Sequence, residues 1–214
     1  MSPDTYPSPI YQALYTSEAG DVIGLDEVQL LDPVPANRIP ELLPLLAGDD
    51  LYLAYQAGLV LAAWGVEAGV AYVQHLVAIR IDKTVELAPD RLTGEDNVYD
   101  VLGEALGIAA LSGYDATHIA TILRSVLGLY GECFFAGKLK TLLLHLHLPD
   151  LLPALKQAVT LALEHGRYYQ ASQLLPVLAK YDHTYALGQI SLFERLTAQD
   201  ARITYSLTEM QERA

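Results

Sequence analysis

Three glycines constrain this chain more than any other feature. Gly65, Gly113 and Gly166 each close one apolar run and are followed at once by another, at separations of 48 and 53 residues. Glycine enters the left-handed conformation that ends a helix at little cost, so each position predicts two antiparallel helices joined by a tight turn. The three segments are QAGLVLAAWGVEAGVAYVQHLV, NVYDVLGEALGIAALSGYDATHIATILRSVLGLY and PDLLPALKQAVTLALEHGRYYQASQLLPVLAKYD. No stretch shows the sustained apolar/polar alternation of a half-buried strand.

The first segment is apolar enough to raise the question of a membrane span. A span needs about 20 consecutive apolar residues. Here Gly65 divides the run, with Gln56 before it and Glu67 just after. The small residues Ala57, Gly58, Ala62, Ala63, Ala68, Gly69 and Ala71 instead predict two helices in close approach. The reading is a buried αα-hairpin.

The expected organisation is a single all-α domain over residues 1–214, built of stacked antiparallel helical hairpins. Residues 1–36, punctuated by Pro3, Pro7, Pro9, Pro33 and Pro35, form an irregular lead-in with short helical turns at YQALYTSE and DEVQLL. Hairpins follow over 37–81, 97–130 and 149–182, and 184–214 supplies one or two capping helices. Within the first, NRIPELLPLLAG predicts a helix capped by Asn37, with Pro44 an interior residue that would kink it. Acidic residues before Leu51 and Asp115 before the helix from Ala116 are placed as N-terminal caps. GECFFAGKLKTLLLHLH predicts a further apolar helix.

LLPLLAGDDLYLAYQAGLVLAAWGVEAGVAYVQHLV, Leu42 to Val77, resembles a HEAT-like repeat: a leucine pair, Asp at the turn, an Ala-rich first helix ending in Gly, and a second helix closing on Leu76 and Val77. The basic residue usual early in the repeat's first helix is replaced by Tyr52 or Tyr55. The resemblance implies an α-solenoid, in which two-helix units stack on their neighbours.

Charge bears on partners. The chain carries a formal −13, and residues 1–107 account for all of it, with 17 acidic against 4 basic side chains. Such a balance excludes direct DNA or RNA binding, which rests on clustered Lys and Arg. It favours a basic protein partner. Asp82, Glu86, Asp90, Glu95, Asp96, Asp100 and Glu104 fall within 23 residues, offset by Lys83 and Arg91. Asp96, Asp100 and Glu104 are four apart, which predicts one helix face carrying three carboxylates. With Tyr99 beside them, these residues are the expected partner-binding patch; the competing reading is a solvated helix face. Tyr52, Tyr55, Tyr72, Tyr168, Tyr169, Tyr181 and Tyr185 are candidate contact or core-edge residues.

Chemical signatures are absent. There is no GxSxG, HExxH, GxGxxG or phosphate-cradling loop. LTGEDNVYD has only part of a calcium loop. His145 and His147, two apart, would diverge on a helix and cannot chelate one ion between them. His75, His118, His165 and His183 are read as structural. Cys133, the only cysteine, sits between Glu132 and Phe134 without a basic neighbour and is read as buried and unreactive. No metal and no cofactor are expected.

MSPDTYPSPIY lacks the basic and apolar regions of a secretory signal, and one cysteine forms no intrachain disulfide, so a cytoplasmic, non-membrane protein is expected. The function expected is non-catalytic protein binding. In composition the chain resembles bacterial immunity proteins, which implies covering the basic cleft of a toxin or nucleic-acid enzyme. The alternative is an enzyme or small-ligand-binding helical domain that uses carboxylates and tyrosines in an inter-helix pocket.

Overall fold

The computed structural model describes residues 8–213; Pro3 and Pro7 of the expected lead-in lie outside them. Every regular element among the described residues is helical. The β features among these residues are isolated bridges, Thr16 to Val22 and Pro89 to Asp96, each closing a local loop. The helices are α1 (Ser8–Tyr15), α2 (Leu25–Gln29), α3 (Ile39–Leu42), α4 (Leu51–Ala63), α5 (Glu67–Ala78), α6 (Val98–Leu111), α7 (Ala116–Leu127), α8 (Lys138–His145), α9 (Leu152–Glu164), α10 (Tyr168–Gln173), α11 (Leu175–Tyr181), α12 (His183–Leu196) and α13 (Ile203–Glu212). None is long and apolar enough to cross a membrane. Two compact units are present: Met1–Leu87 with Ala105–Asp115, and Ala88–Glu104 with Ala116–Ala214.

The three glycine breaks share one bonding pattern. Gly65, Gly113 and Gly166 have φ of 69°, 96° and 72°. At each, the glycine N–H donates to the carbonyl three residues back and the next N–H to the carbonyl five back: Val66 to Leu61, Tyr114 to Ala109, Arg167 to Ala162. This is the Schellman arrangement, which satisfies carbonyls the helix end would otherwise leave unpaired.

Unit 1 is built around α4. Ala54 through Ala63 are all buried, so the helix is apolar around its circumference and belongs in the centre. Burying side chains such as Leu59, Val60 and Leu61 contributes about 1.5–3 kcal/mol each. Asp50 caps α4 by accepting from Leu53 N at 3.0 Å. α5 lies against α4 so closely that a Cβ on Gly69 would sit 2.4 Å from Ala62 N. Trp64 donates its indole N–H to Val28 O at 3.0 Å, tying α2 to the end of α4.

The helix expected from Asn37 does not form as one piece. Residues 36–38 and 43–47 are 3-10 turns flanking the single turn α3, and Asn37 lies inside the first of them. Pro44 removes an amide donor inside the expected helix, which breaks the α-helical ladder, whereas Pro40 sits in the first turn of α3, where a proline is tolerated.

Unit 2 centres on α11, whose Leu175 to Leu178 are buried and which meets α8, α9, α12 and α13. The expected helix over GECFFAGKLKTLLLHLH is confined to Lys138–His145, because Gly137 at φ 115° blocks it upstream. Both closing helices are present, α12 capped by Asp182, which accepts from Tyr185 N at 3.0 Å.

Candidate functional site

The eight residues of the expected patch divide between the units and do four different things. In unit 1, Asp82 is bidentate with Arg80, at 2.9 and 3.0 Å, and also 3.5 Å from Lys83. Glu86 is exposed. In unit 2, Asp90 and Asp96 hold the 88–98 loop together. Asp90 Oδ1 accepts from Leu92 N, Thr93 N and Thr93 Oγ1, and Asp96 Oδ1 accepts from Ala88 N and Val98 N. Glu95 is bidentate with Arg167, at 2.9 and 3.3 Å.

Tyr99 and Asp100 are not surface residues: they are 1% and 0% exposed. The carboxylate-bearing helix face predicted from the four-residue spacing is therefore corrected. Asp100 turns inward and accepts from Gly137 N, Lys138 N and Leu139 N at 2.8–2.9 Å. Burial pushes its carboxyl up, while the backbone N–H groups pull the other way. Glu104, on the next turn, takes the Lys138 ammonium at 2.5 Å. The like-charge repulsion implied by the spacing is relieved because each carboxylate has donors of its own.

More of the exposed acidic charge lies instead at the start of unit 1. Glu18, Asp21, Asp26, Glu27, Asp32, Glu41 and Asp49 are all exposed. Arg38 is the sole Lys or Arg among residues 1–79. Its guanidinium donates to three backbone carbonyls, Gln12 O, Thr16 O and Ser17 O, at 2.6–3.2 Å. It therefore caps the end of α1 and pairs with no carboxylate through these bonds. Val22 and Leu30, 71% and 64% exposed, stand within the same acidic stretch.

A cleft of about 390 Å³ opens in unit 2 beside the 88–98 loop. Phe134, Tyr168, Tyr169 and Gln173 contribute to its walls, with Asp90, Glu95, Arg167, Asp200 and Arg202. Asp200 is bidentate with Arg202, whose guanidinium stacks over the Tyr169 ring at 4.4 Å. The Thr93 backbone and side-chain hydrogen bonds hold the Asp90 carboxyl below the usual carboxylate range. Sequence reading singled out Tyr168 and Tyr169 but not Arg167, Gln173 or Arg202, whose partners lie far along the chain or on the same turn.

Of the other candidate tyrosines, Tyr55 is 4% exposed, Tyr72, Tyr181 and Tyr185 are half-buried, and Tyr52 is exposed. Tyr114, unremarked in the sequence, donates to Glu67 at 2.5 Å. Desolvation and that carboxylate push its phenol up to about 12. His145 and His165 each place Nδ1 2.8 Å from the carbonyl four residues back. Cys133 is buried. No group of three or more His, Cys, Asp or Glu side chains converges as metal ligands among the described residues. No protein-family model matches the chain, and no curated protein or solved structure matches it either.

Proposed function

We propose that the protein is a non-catalytic, cytoplasmic binding module whose unit 1 docks on a basic surface of another protein. One observation supports this most directly. Seven exposed carboxylates lie between Glu18 and Asp49, and the one cation among them, Arg38, gives its donors to backbone carbonyls. Solubility alone does not require such one-sidedness, and it works against compactness through self-repulsion. It does raise the association rate with a basic partner and reject acidic ones. Val22 and Leu30 supply apolar contact area within the charged surface.

The sharper form of the proposal is an immunity-type inhibitor that covers the basic, nucleic-acid-binding cleft of a toxin or enzyme. Stacking of the hairpins as a HEAT-like solenoid belongs to the same proposal. The test is affinity capture with the parent chain and with a variant carrying Glu18→Lys, Asp21→Lys, Glu41→Lys and Asp49→Lys. These four side chains are exposed and hold no element in place, so the variant is expected to fold. The parent is expected to retain a basic protein that the variant loses. Equal retention of every captured protein by both would overturn the proposal.

A further inference from the structure

The cleft in unit 2 has an unequal hydrogen-bonding inventory. Its two guanidinium groups are already matched. Arg167 is bidentate with Glu95 and spends further donors on Gly131 O and Glu132 O, at 3.1 and 3.2 Å. Arg202 is bidentate with Asp200 and covers one face of Tyr169. Neither can take a free anion without giving up a carboxylate.

The acceptors are not matched. Asp90 forms no ion pair among the described residues, and its hydrogen bonds from Leu92 and Thr93 all fall on Oδ1. Gln173 is 6% exposed, and its buried Oε1 accepts no hydrogen bond. Its Nε2 is directed to Ala136 O at 3.5 Å, so the amide's acceptor and donor ends are already distinguished. A buried acceptor without a donor is costly, and native proteins rarely leave one so. Gln173 Oε1 lies beneath the cleft surface, so the acceptor open on its wall is Asp90 Oδ2, and a positively charged donor fits it.

The remaining walls suit a flat, apolar body. Phe134 and Tyr168 line the cleft beside Tyr169, and aromatic faces attract cations as well as apolar rings. The volume of about 390 Å³ lies at the small end of the range of about 300–1,000 Å³ that small-molecule sites occupy.

We infer that this cleft binds a small organic cation, an amidine, guanidine or amine on a flat apolar body. Its head donates to the uncommitted Asp90 Oδ2, and its body lies against Phe134 and the tyrosines. The site lies wholly in unit 2 and does not rest on the docking proposed for unit 1.

The probe is benzamidine, compared with its neutral isostere benzamide and the anion benzoate, each titrated into the full chain while the amide resonances are followed by NMR. Benzamidine is expected to shift Leu92, Thr93, Phe134 and Gln170. Benzamide should bind about ten-fold more weakly or worse, and benzoate not at all, because charge-assisted hydrogen bonds are about twice as strong as neutral ones. Asp90→Asn keeps an Oδ1 to accept the Leu92 and Thr93 bonds and removes only the charge. It should weaken benzamidine about ten-fold while leaving the spectrum folded. Benzoate binding as tightly as benzamidine, no shifts at millimolar benzamidine, or unchanged affinity in Asp90→Asn would each overturn the inference.

Discussion

Asp100 Oδ1 accepts a hydrogen bond from the Leu139 amide at 2.8 Å, and its other oxygen takes the Gly137 and Lys138 amides at 2.9 Å. One buried carboxylate on α6 thereby satisfies three amide donors at the start of α8, where the helix dipole also favours negative charge. Asp100→Ala would leave those amides buried and unpaired. It is expected to cost about 3 kcal/mol, since each orphaned buried donor carries a penalty of about 1–3 kcal/mol. Chemical denaturation measures the cost, and hydrogen exchange should show Leu139 losing protection first.

The other end of α8 is held by opposite charge. Lys180 donates to Leu144 O at 3.0 Å and to Leu146 O, while the Tyr181 hydroxyl donates to Leu146 O and accepts from Leu148 N. Lys180→Met keeps the apolar stem and removes the ammonium. It should destabilise by about 1–2 kcal/mol and speed exchange in the last turn of α8, leaving Leu139 protected.

Gly69→Ala tests the α4–α5 approach. The added methyl would lie 2.4 Å from Ala62 N and 2.5 Å from Leu61 Cβ, so backbone has to move. The expected loss is about 3 kcal/mol, at the upper end of overpacking costs. A thermal midpoint equal to the parent's would show that the two helices do not meet this closely.

Gln170 ties the 130–135 loop. Its Nε2 donates to Tyr130 O and Cys133 O, and its Oε1 accepts from Phe135 N at 2.9 Å. Gln170→Ala should cost about 2–3 kcal/mol. It should also make Cys133, 8% exposed in the parent, react faster with a thiol reagent. The labelling rate reads the loop directly.

Tyr114 gives a pH signature. Desolvation first, then the Glu67 hydrogen bond and charge, raise its phenol from 10.0 to about 12. A raised acid favours the fold while protonated, so this contribution is complete below pH 10 and is lost as pH rises through about 12. Glu67→Gln should move the titration toward the ordinary value. It is measured as the ultraviolet difference between each chain and its Tyr114→Phe counterpart.

What was legible in the sequence was local. Gly65, Gly113 and Gly166 announce their turns because a left-handed helix end is decided within a few residues. Asp50, among the acidic residues before Leu51, reads as a cap for the same reason. Pro44 was recognisable as a break, and it divides the expected helix. Asp100 was misplaced because a carboxylate reads as surface, and the amides that draw it inward lie 37–39 residues away. Separation along the chain also hid the role of Arg38, whose carbonyl partners are 21–26 residues upstream. Charge counting placed the acidic excess in the first half of the chain, and the structure exposes more of it at 18–49 than at 82–104.

The most direct measurement of the docking account is the association rate constant between the captured basic partner and the parent chain as ionic strength rises. Steering by the Glu18–Asp49 surface predicts a fall of about ten-fold or more between about 0.05 and 0.5 M salt, with the four-lysine variant slow at low salt and nearly flat. A parent rate indifferent to salt, or a variant that associates as fast, would contradict it.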